Sequence, residues 1–208
     1  MKQNKATVQN KTSFRKILKK VWYFIWEDNS IWSWLVNIIL AVVLIKFIVY
    51  PGLGLVLGTR YPVVAVVSGS MEHEGNFDYF WDQHGIFYDP YNITKEQFSK
   101  FKFKNGFNTG DIMVLSKADP AKIKVGEVIV FKSSKPDPII HRVINKWQEN
   151  GVYYFTTKGD HNYDLNRAVG ENRISQDNLI GRASFRIPYL GYVKIWFVEF
   201  LKLIHVAK

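Results

Sequence analysis

The sequence predicts a mainly β, α+β protein. An antiparallel β domain is carried on an N-terminal transmembrane helix, with a small aromatic-rich insert and a C-terminal amphipathic helix. Three observations lead there. Ile31 to Tyr50 is a run of twenty residues broken only by Ser33, Asn37 and Lys46. Beyond Gly110 the chain divides into short β-branched runs punctuated by Pro120, Gly126, Pro136 and Pro138. Between two of those runs stands Asn150-Gly151, the strongest short-range hairpin signal in the chain.

With 208 residues the chain can build one domain with its own core and a modest appendage. It has no cysteine, which excludes disulfides and thiolate metal sites. A net charge of +10 suggests a nucleic-acid partner until its distribution is considered. Lys2, Lys5, Lys11, Arg15, Lys16, Lys19 and Lys20 stand in the first twenty residues without an acid and supply seven of the ten charges. No nucleic acid is therefore expected as a partner. Residues 1–30 read as a basic cytoplasmic tail and residues 31–51 as the transmembrane helix, closed by Pro51-Gly52. Twenty residues at about 1.5 Å each span roughly 30 Å, the thickness of a bilayer core. Lys46 lies near the far end, where its long stem can snorkel. Trp22, Trp26, Trp32 and Trp34 sit near the start, as interfacial aromatics do. The positive-inside rule keeps the tail in the cytoplasm and places everything after Pro51 outside, with membrane lipid as a partner.

Residues 52–188 read as an extracytoplasmic β-rich domain. Gly52 to Thr59 is a glycine-rich connector, followed by the β-branched run Val63 to Val67. Residues 76–107 form a distinct insert, in which eleven of residues 77–107 are Phe, Tyr or Trp. Thr94 and Gln97 make a capping-box pattern ahead of Phe98 and Phe101, so a small helical subdomain with its own core is expected. Asn92-Ile93-Thr94 is a glycosylation sequon on the predicted outer side. Strands follow at Ile112–Leu115, Glu127–Phe131, Ile139–Lys146, Val152–Thr157 and Leu179–Arg186. Residues 189–208 are apolar apart from Gly191, Lys194, Glu199, Lys202, His205 and the closing Lys208, a pattern that predicts an amphipathic helix lying in the membrane interface.

The chemistry starts at Val63-Val64-Ala65-Val66-Val67-Ser68-Gly69-Ser70-Met71. An apolar strand that breaks off into Ser-Gly-Ser presents Ser70 at the end of a rigid element. A hydroxyl so placed is a nucleophile only with a base in reach and a third group to orient that base. A two-residue loop at Asn150-Gly151 puts His141 directly opposite Asp160, on one face and about 5 Å apart.

Together with Gly110-Asp111-Ile112-Met113-Val114, Gly126-Glu127-Val128-Ile129-Val130-Phe131, His141-Arg142-Val143 and Lys158-Gly159-Asp160, the serine segment resembles the type I signal peptidases. The resemblance covers about residues 35 to 195 except the aromatic insert, and implies a signal-peptidase-like antiparallel β domain. Where the usual bacterial enzymes carry a lysine base, this chain has His141-Arg142, which is similar to the subtype of archaea, the endoplasmic reticulum and some Gram-positive bacteria. The resemblance implies Ser70 as nucleophile, His141 as general base, and an oxyanion site made by the Ser70 N–H and the Ser68 hydroxyl. It also implies a triad aspartate six residues after the Lys-Gly-Asp, but position 166 is Asn166 and the nearest acid is Asp164. Hairpin register favours Asp160 and the family pattern favours Asp164, so both are candidates.

The expected activity is that of a membrane-bound serine endopeptidase. It would remove N-terminal signal peptides from preproteins at the outer membrane face, after small residues such as Ala-X-Ala. The substrate is expected as an added strand along Val63, Val64, Ala65, Val66 and Val67. Preproteins and the secretion machinery are the implied partners, with no cofactor and no metal. The membrane would be the cell membrane of a prokaryote or the endoplasmic reticulum of a eukaryote. Three rivals are weaker. A non-catalytic membrane-anchored subunit or binding module of the same fold would lack Ser70 or His141. A self-cleaving repressor-like protease would have a lysine base and a DNA-binding domain. A metal site from Glu72, His73, Glu74, His84 and His161 lacks a recognised ligand spacing.

Overall fold

A computed structural model describes residues 3–193 and Trp196, with side chains described from Phe14 onward. The chain divides into two compact units, residues 1–52 and the remainder from Leu53. Helix α1 (Gln3–Trp26) begins the first, so the basic segment expected as a tail is helical. Helix α2 (Ile31–Leu44) is capped by Ser30, whose hydroxyl accepts from the Ser33 N–H. The polar interruptions of the apolar run have partners: the Ser33 hydroxyl donates to Phe24 O, and Asn37 Nδ2 donates to Ile25 O at 2.9 Å. They thereby satisfy carbonyls that the end of α1 would leave open.

The apolar helix does not stop at Pro51. A π-helical turn (Ile45–Val49) leads into helix α3 (Tyr50–Leu57), and Gly52 to Leu57, expected as a connector, is helical. Pro51 has no N–H to continue the ladder, and the π-helical turn stands just before it, where the regular i to i−4 bonding is already interrupted. Gly58, at φ +65°, ends the helix in the left-handed conformation that glycine adopts without a Cβ penalty. Among the described residues Ile31–Leu57 is the one helix long and apolar enough to cross a membrane.

The second unit is built on a seven-stranded, wholly antiparallel sheet. Its strands are β1 (Val63–Ala65), β2 (Ile112–Ser116), β3 (Val128–Phe131), β4 (Ile139–Glu149), β5 (Val152–Lys158), β6 (Ile174–Ser175) and β7 (Leu179–Ile187), in the spatial order β1-β2-β7-β3-β4-β5-β6. Strand β3 is buried throughout, and its alternation divides the core. Val128 and Val130 join Val66, Met71, Phe107, Met113, Leu115 and Ala183; Ile129 and Phe131 join Ile123, Val143, Phe155 and Ile174.

Within the insert, α4 (Phe77–His84) starts at Asn76, whose side chain accepts from the Tyr79 N–H. The short α5 (Lys95–Phe98) carries the Thr94/Gln97 capping box read from the sequence, with both bonds formed. Phe80, Tyr88, Ile93 and Phe98 form the insert's own core. Ile144 of β4 is the fifth buried member of that cluster.

That residue changes the register. Asn150 and Gly151 both have positive φ, 49° and 81°, as a tight hairpin turn of this dipeptide requires. From the turn the strands pair as expected, from Glu149 opposite Val152 to Asn145 opposite Thr156. Ile144 then bulges out of the ladder, and pairing resumes one residue displaced, with Val143 opposite Thr157 and Arg142 opposite Lys158. His141 is therefore not the cross-strand partner of Asp160. Of the helix expected over 189–208, Tyr189, Leu190 and Gly191 form a bend and turn instead, Tyr192, Val193 and Trp196 are helical, and residues 194, 195 and 197–208 lie outside the described residues.

Candidate active site

Strand β1 is too short to carry Ser70 itself, and the chain beyond it is fixed by neighbours. The Val66 N–H donates to Asp111 O at 2.9 Å and Val66 O accepts from Gly110 N–H at 2.9 Å. Met71 is fully buried in the core and its carbonyl accepts from Phe107 N–H at 3.0 Å, so the residue after Ser70 is a plug. Ser70 is held between these anchors in the turn closed by Glu72 N–H on Gly69 O at 3.0 Å.

From β4, His141 reaches this serine: its Nε2 lies 2.9 Å from Ser70 Oγ. The Ser68 hydroxyl lies 3.2 Å from the same oxygen. Gly159 packs against both members of the pair. A Cβ placed there would come within 2.8 Å of Ser70 O and 2.9 Å of His141 Nε2, so the close approach requires glycine. The His161 N–H donates to Ser70 O at 3.0 Å, closing the floor of the site.

Behind the imidazole, Nδ1 bonds the carboxylate of Glu171, a residue not singled out by sequence reasoning. Neither expected aspartate is there. Asp160, one residue beyond the glycine that faces His141, turns to the adjacent strand residue. It pairs with Arg142 through Nε at 2.9 and 3.2 Å and Nη2 at 2.7 Å, accepts from Tyr88 Oη at 2.9 Å, and meets His73 Nε2 at 2.9 Å. The reason is the bulge at Ile144: a one-residue slip moves a strand's side chains to the opposite face. Asp164 is exposed, and its Oδ1 accepts from the N–H of Leu165 at 2.6 Å.

The Arg142–Asp160 cluster is a closed ion pair. Arg142 also donates to Lys102 O, Gly126 O and Phe103 O, at 3.0, 2.8 and 2.9 Å, and its guanidinium lies 4.6 Å from the Phe98 ring. Burial alone would push the Asp160 carboxyl up; the Arg142 charge and the bonds from His73 and Arg142 outweigh it and hold it well below the usual carboxylate range. Burial and the neighbouring carboxylate push the Tyr88 phenol well above its ordinary value, keeping it a donor. Lys158, buried beside them, donates to Gly159 O and Asp160 O at 3.1 Å each, and burial lowers its ammonium to about 8.

The five residues weighed as a metal site are distributed among other duties. Glu72 accepts from Thr109 N–H at 2.8 Å, His73 stacks on Phe80 with centroids 3.5 Å apart, and His84 stands 5.4 Å from His161. Among the described residues no group of three or more His, Asp or Glu side chains is arranged to hold a metal ion. Val63, Val64 and Ala65 form β1, which among the described residues has a neighbouring strand on one side only; Val66 is buried and Val67 exposed.

No family model matches the chain. It is 31% identical over 152 residues to the human and dog proteins named signal peptidase complex catalytic subunit SEC11C, an alignment covering 71% of this chain and 62% of theirs. The chain thus spans less than two thirds of those mammalian relatives. The Dictyostelium discoideum protein of the corresponding name, sec11, is 30% identical over 159 residues, covering 74% of this chain and 70% of its own. On that similarity, and with a sheet and apolar N-terminal helix of the expected kind, the chain belongs to the family of signal peptidase complex catalytic subunits.

Proposed function

We propose that this protein is a membrane-anchored serine endopeptidase that removes signal peptides from preproteins. The observation that carries the reading is the 2.9 Å contact between Ser70 Oγ and His141 Nε2. It lies within hydrogen-bond reach for direct proton transfer. The relatives' printed names supply the substrate class.

In the proposed reaction Ser70 Oγ attacks the scissile carbonyl carbon while His141 Nε2 takes its proton. The imidazolium returns that proton to the amine nitrogen as the C–N bond breaks, leaving an acyl-enzyme. A water molecule, deprotonated by the same imidazole, then releases the signal peptide as its carboxylate. The Ser70 N–H and the Ser68 hydroxyl would share the oxyanion. Loss of one such donor typically costs about 2.7 to 4 kcal/mol of transition-state stabilisation. The substrate would add as a strand to the unpaired side of β1, along Val63 to Val67, where main-chain bonds give affinity and alternate side chains give selectivity.

Ile31–Leu57 would anchor the enzyme as a single span, with residues 1–30 in the cytoplasm and the sheet on the far side. Lipid and the secretion machinery are its proposed surroundings. The test is cleavage of a secretory preprotein in membranes bearing wild type or Ser70→Ala. Cleavage by wild type and none by the variant is expected. Cleavage surviving in the variant removes Ser70 as nucleophile. No cleavage by wild type or variant, with both correctly inserted, leaves the non-catalytic subunit as the reading.

A further inference from the structure

We infer that Glu171 is the positioning carboxylate of this site, standing in for the aspartate that the family pattern places at position 166. The inference rests on the reading of Ser70 and His141 as nucleophile and base.

Glu171 is fully buried and both of its oxygens are engaged. Oε1 meets His141 Nδ1, and Oε2 accepts the backbone N–H of Asn166. The residue is tied into the fold by its own backbone: Glu171 O accepts from Thr157 N–H of β5 at 2.9 Å, and its N–H reaches Asn166 O at 3.4 Å. The segment from Asn166 to Glu171 therefore closes on itself. A longer side chain delivers a carboxylate from Glu171 to a point bonded by the main chain of Asn166. The aspartates cannot compete. Asp160 already accepts three contacts from Arg142 and one each from Tyr88 and His73, about the capacity of a carboxylate. Asp164 is exposed.

The arrangement dictates a tautomer. A carboxylate at Nδ1 can only accept, so Nδ1 carries the hydrogen and Nε2 keeps a lone pair facing Ser70 Oγ. The main chain of Asn166 makes this sensitive to an isosteric change. In Glu171→Gln the Asn166 N–H still demands an oxygen, so the amide nitrogen turns to His141. It then donates to Nδ1, which places the hydrogen on Nε2, where it blocks proton abstraction from Ser70.

The test uses the full chain in detergent, with 15N-labelled histidine and a preprotein substrate. The expected result for Glu171→Gln is a change of neutral His141 from the Nδ1–H to the Nε2–H tautomer. Alongside it kcat should fall by about 10³ to 10⁴, the scale of a wrong tautomer in a serine protease, with KM changed less than about threefold. Asp160→Asn should leave the tautomer as in wild type, and Glu171→Asp should keep the Nδ1–H form with intermediate kcat. The inference is overturned if Glu171→Gln keeps the Nδ1–H tautomer, or if Asp160→Asn is the variant that changes it. The tautomer is read without substrate. If Ser70→Ala continues to cleave, the proposed function fails while the spectrum still decides the role of Glu171.

Discussion

His141 and Arg142 are consecutive on β4, both buried, and each faces a carboxylate that is itself fully buried: Glu171 behind the histidine and Asp160 against the arginine. Burial does not separate the two pairs. Spare bonding capacity does. The arginine's donors are spread over Asp160 and three backbone carbonyls, and the aspartate has taken every donor it can hold. The histidine's pair ends at an open nitrogen 2.9 Å from a serine oxygen. The saturated pair can only hold the fold together, whereas the unsaturated one can move a proton.

The contrast can be broken from either side, and the largest effect belongs to the open pair. His141→Ala should lower kcat by on the order of 10⁴ to 10⁶, with a smaller fall in melting temperature than Asp160→Asn causes, because Glu171 loses one donor while no buried cation is left unpaired. Asp160→Asn should do the reverse. An uncompensated Arg142 left in the interior typically costs about 3 to 5 kcal/mol, read as a large drop in melting temperature. The Asp160 carboxyl is held below its unfolded value, so its contribution is present above the ordinary carboxylate range and lost as pH falls through the folded value. Acid should therefore erase the difference between wild type and Asp160→Asn.

Lys158 sharpens the comparison, because it is a buried cation whose hydrogen bonds go to carbonyls and whose ammonium lies 4.8 Å from the Tyr88 ring, with no carboxylate among the described residues in hydrogen-bond contact. Its ammonium is lowered from 10.5 to about 8, so between those pH values the unfolded chain holds the extra proton and stability rises with pH. The rise is at most about 3 kcal/mol by the usual conversion. Lys158→Met should flatten it in melting curves taken across that window. The smallest effect is expected for Tyr88→Phe. It removes one donor from the saturated carboxylate and should cost about 1 kcal/mol, with kcat unchanged within about twofold.

Much of this was legible in the sequence because it depends on local chemistry. The Asn150-Gly151 turn, the Thr94/Gln97 capping box and the β-branched runs of β2 to β5 and β7 need only their own residues and immediate neighbours. Ser70 and His141 carry local signals of the same kind, a Ser-Gly-Ser turn after an apolar run and a histidine on the strand that leads into the Asn150-Gly151 turn. The register at His141 carries none, because it is decided far from the turn. Ile144 leaves the ladder to fill a gap among Phe80, Tyr88, Ile93 and Phe98, and nothing in the strand's alternation records that destination. Glu171 was hidden differently: it lies in an irregular stretch whose shape comes from its bonds to Asn166 and Thr157. Asn166 was the available signal. With no acid where the family pattern has one, the next acid along the chain after Asp164 is Glu171. Strand β6, of two residues, is too short for any periodicity to show.

Ile144 also sets the terms on which this protein could be re-engineered. Its side chain keys the aromatic insert to β4, and its extra backbone position keeps Asp160 out of line with His141. A minimal variant that trims the insert would expose that isoleucine and take the Lys102 and Phe103 carbonyls from Arg142, which would keep Asp160 and Gly126 O. Without the insert to hold it, Ile144 could return to the ladder opposite Thr157, and the register set at the turn would then bring Asp160 level with the imidazole. The insert is thus less an ornament on the scaffold than the shim that decides which acid the histidine can reach.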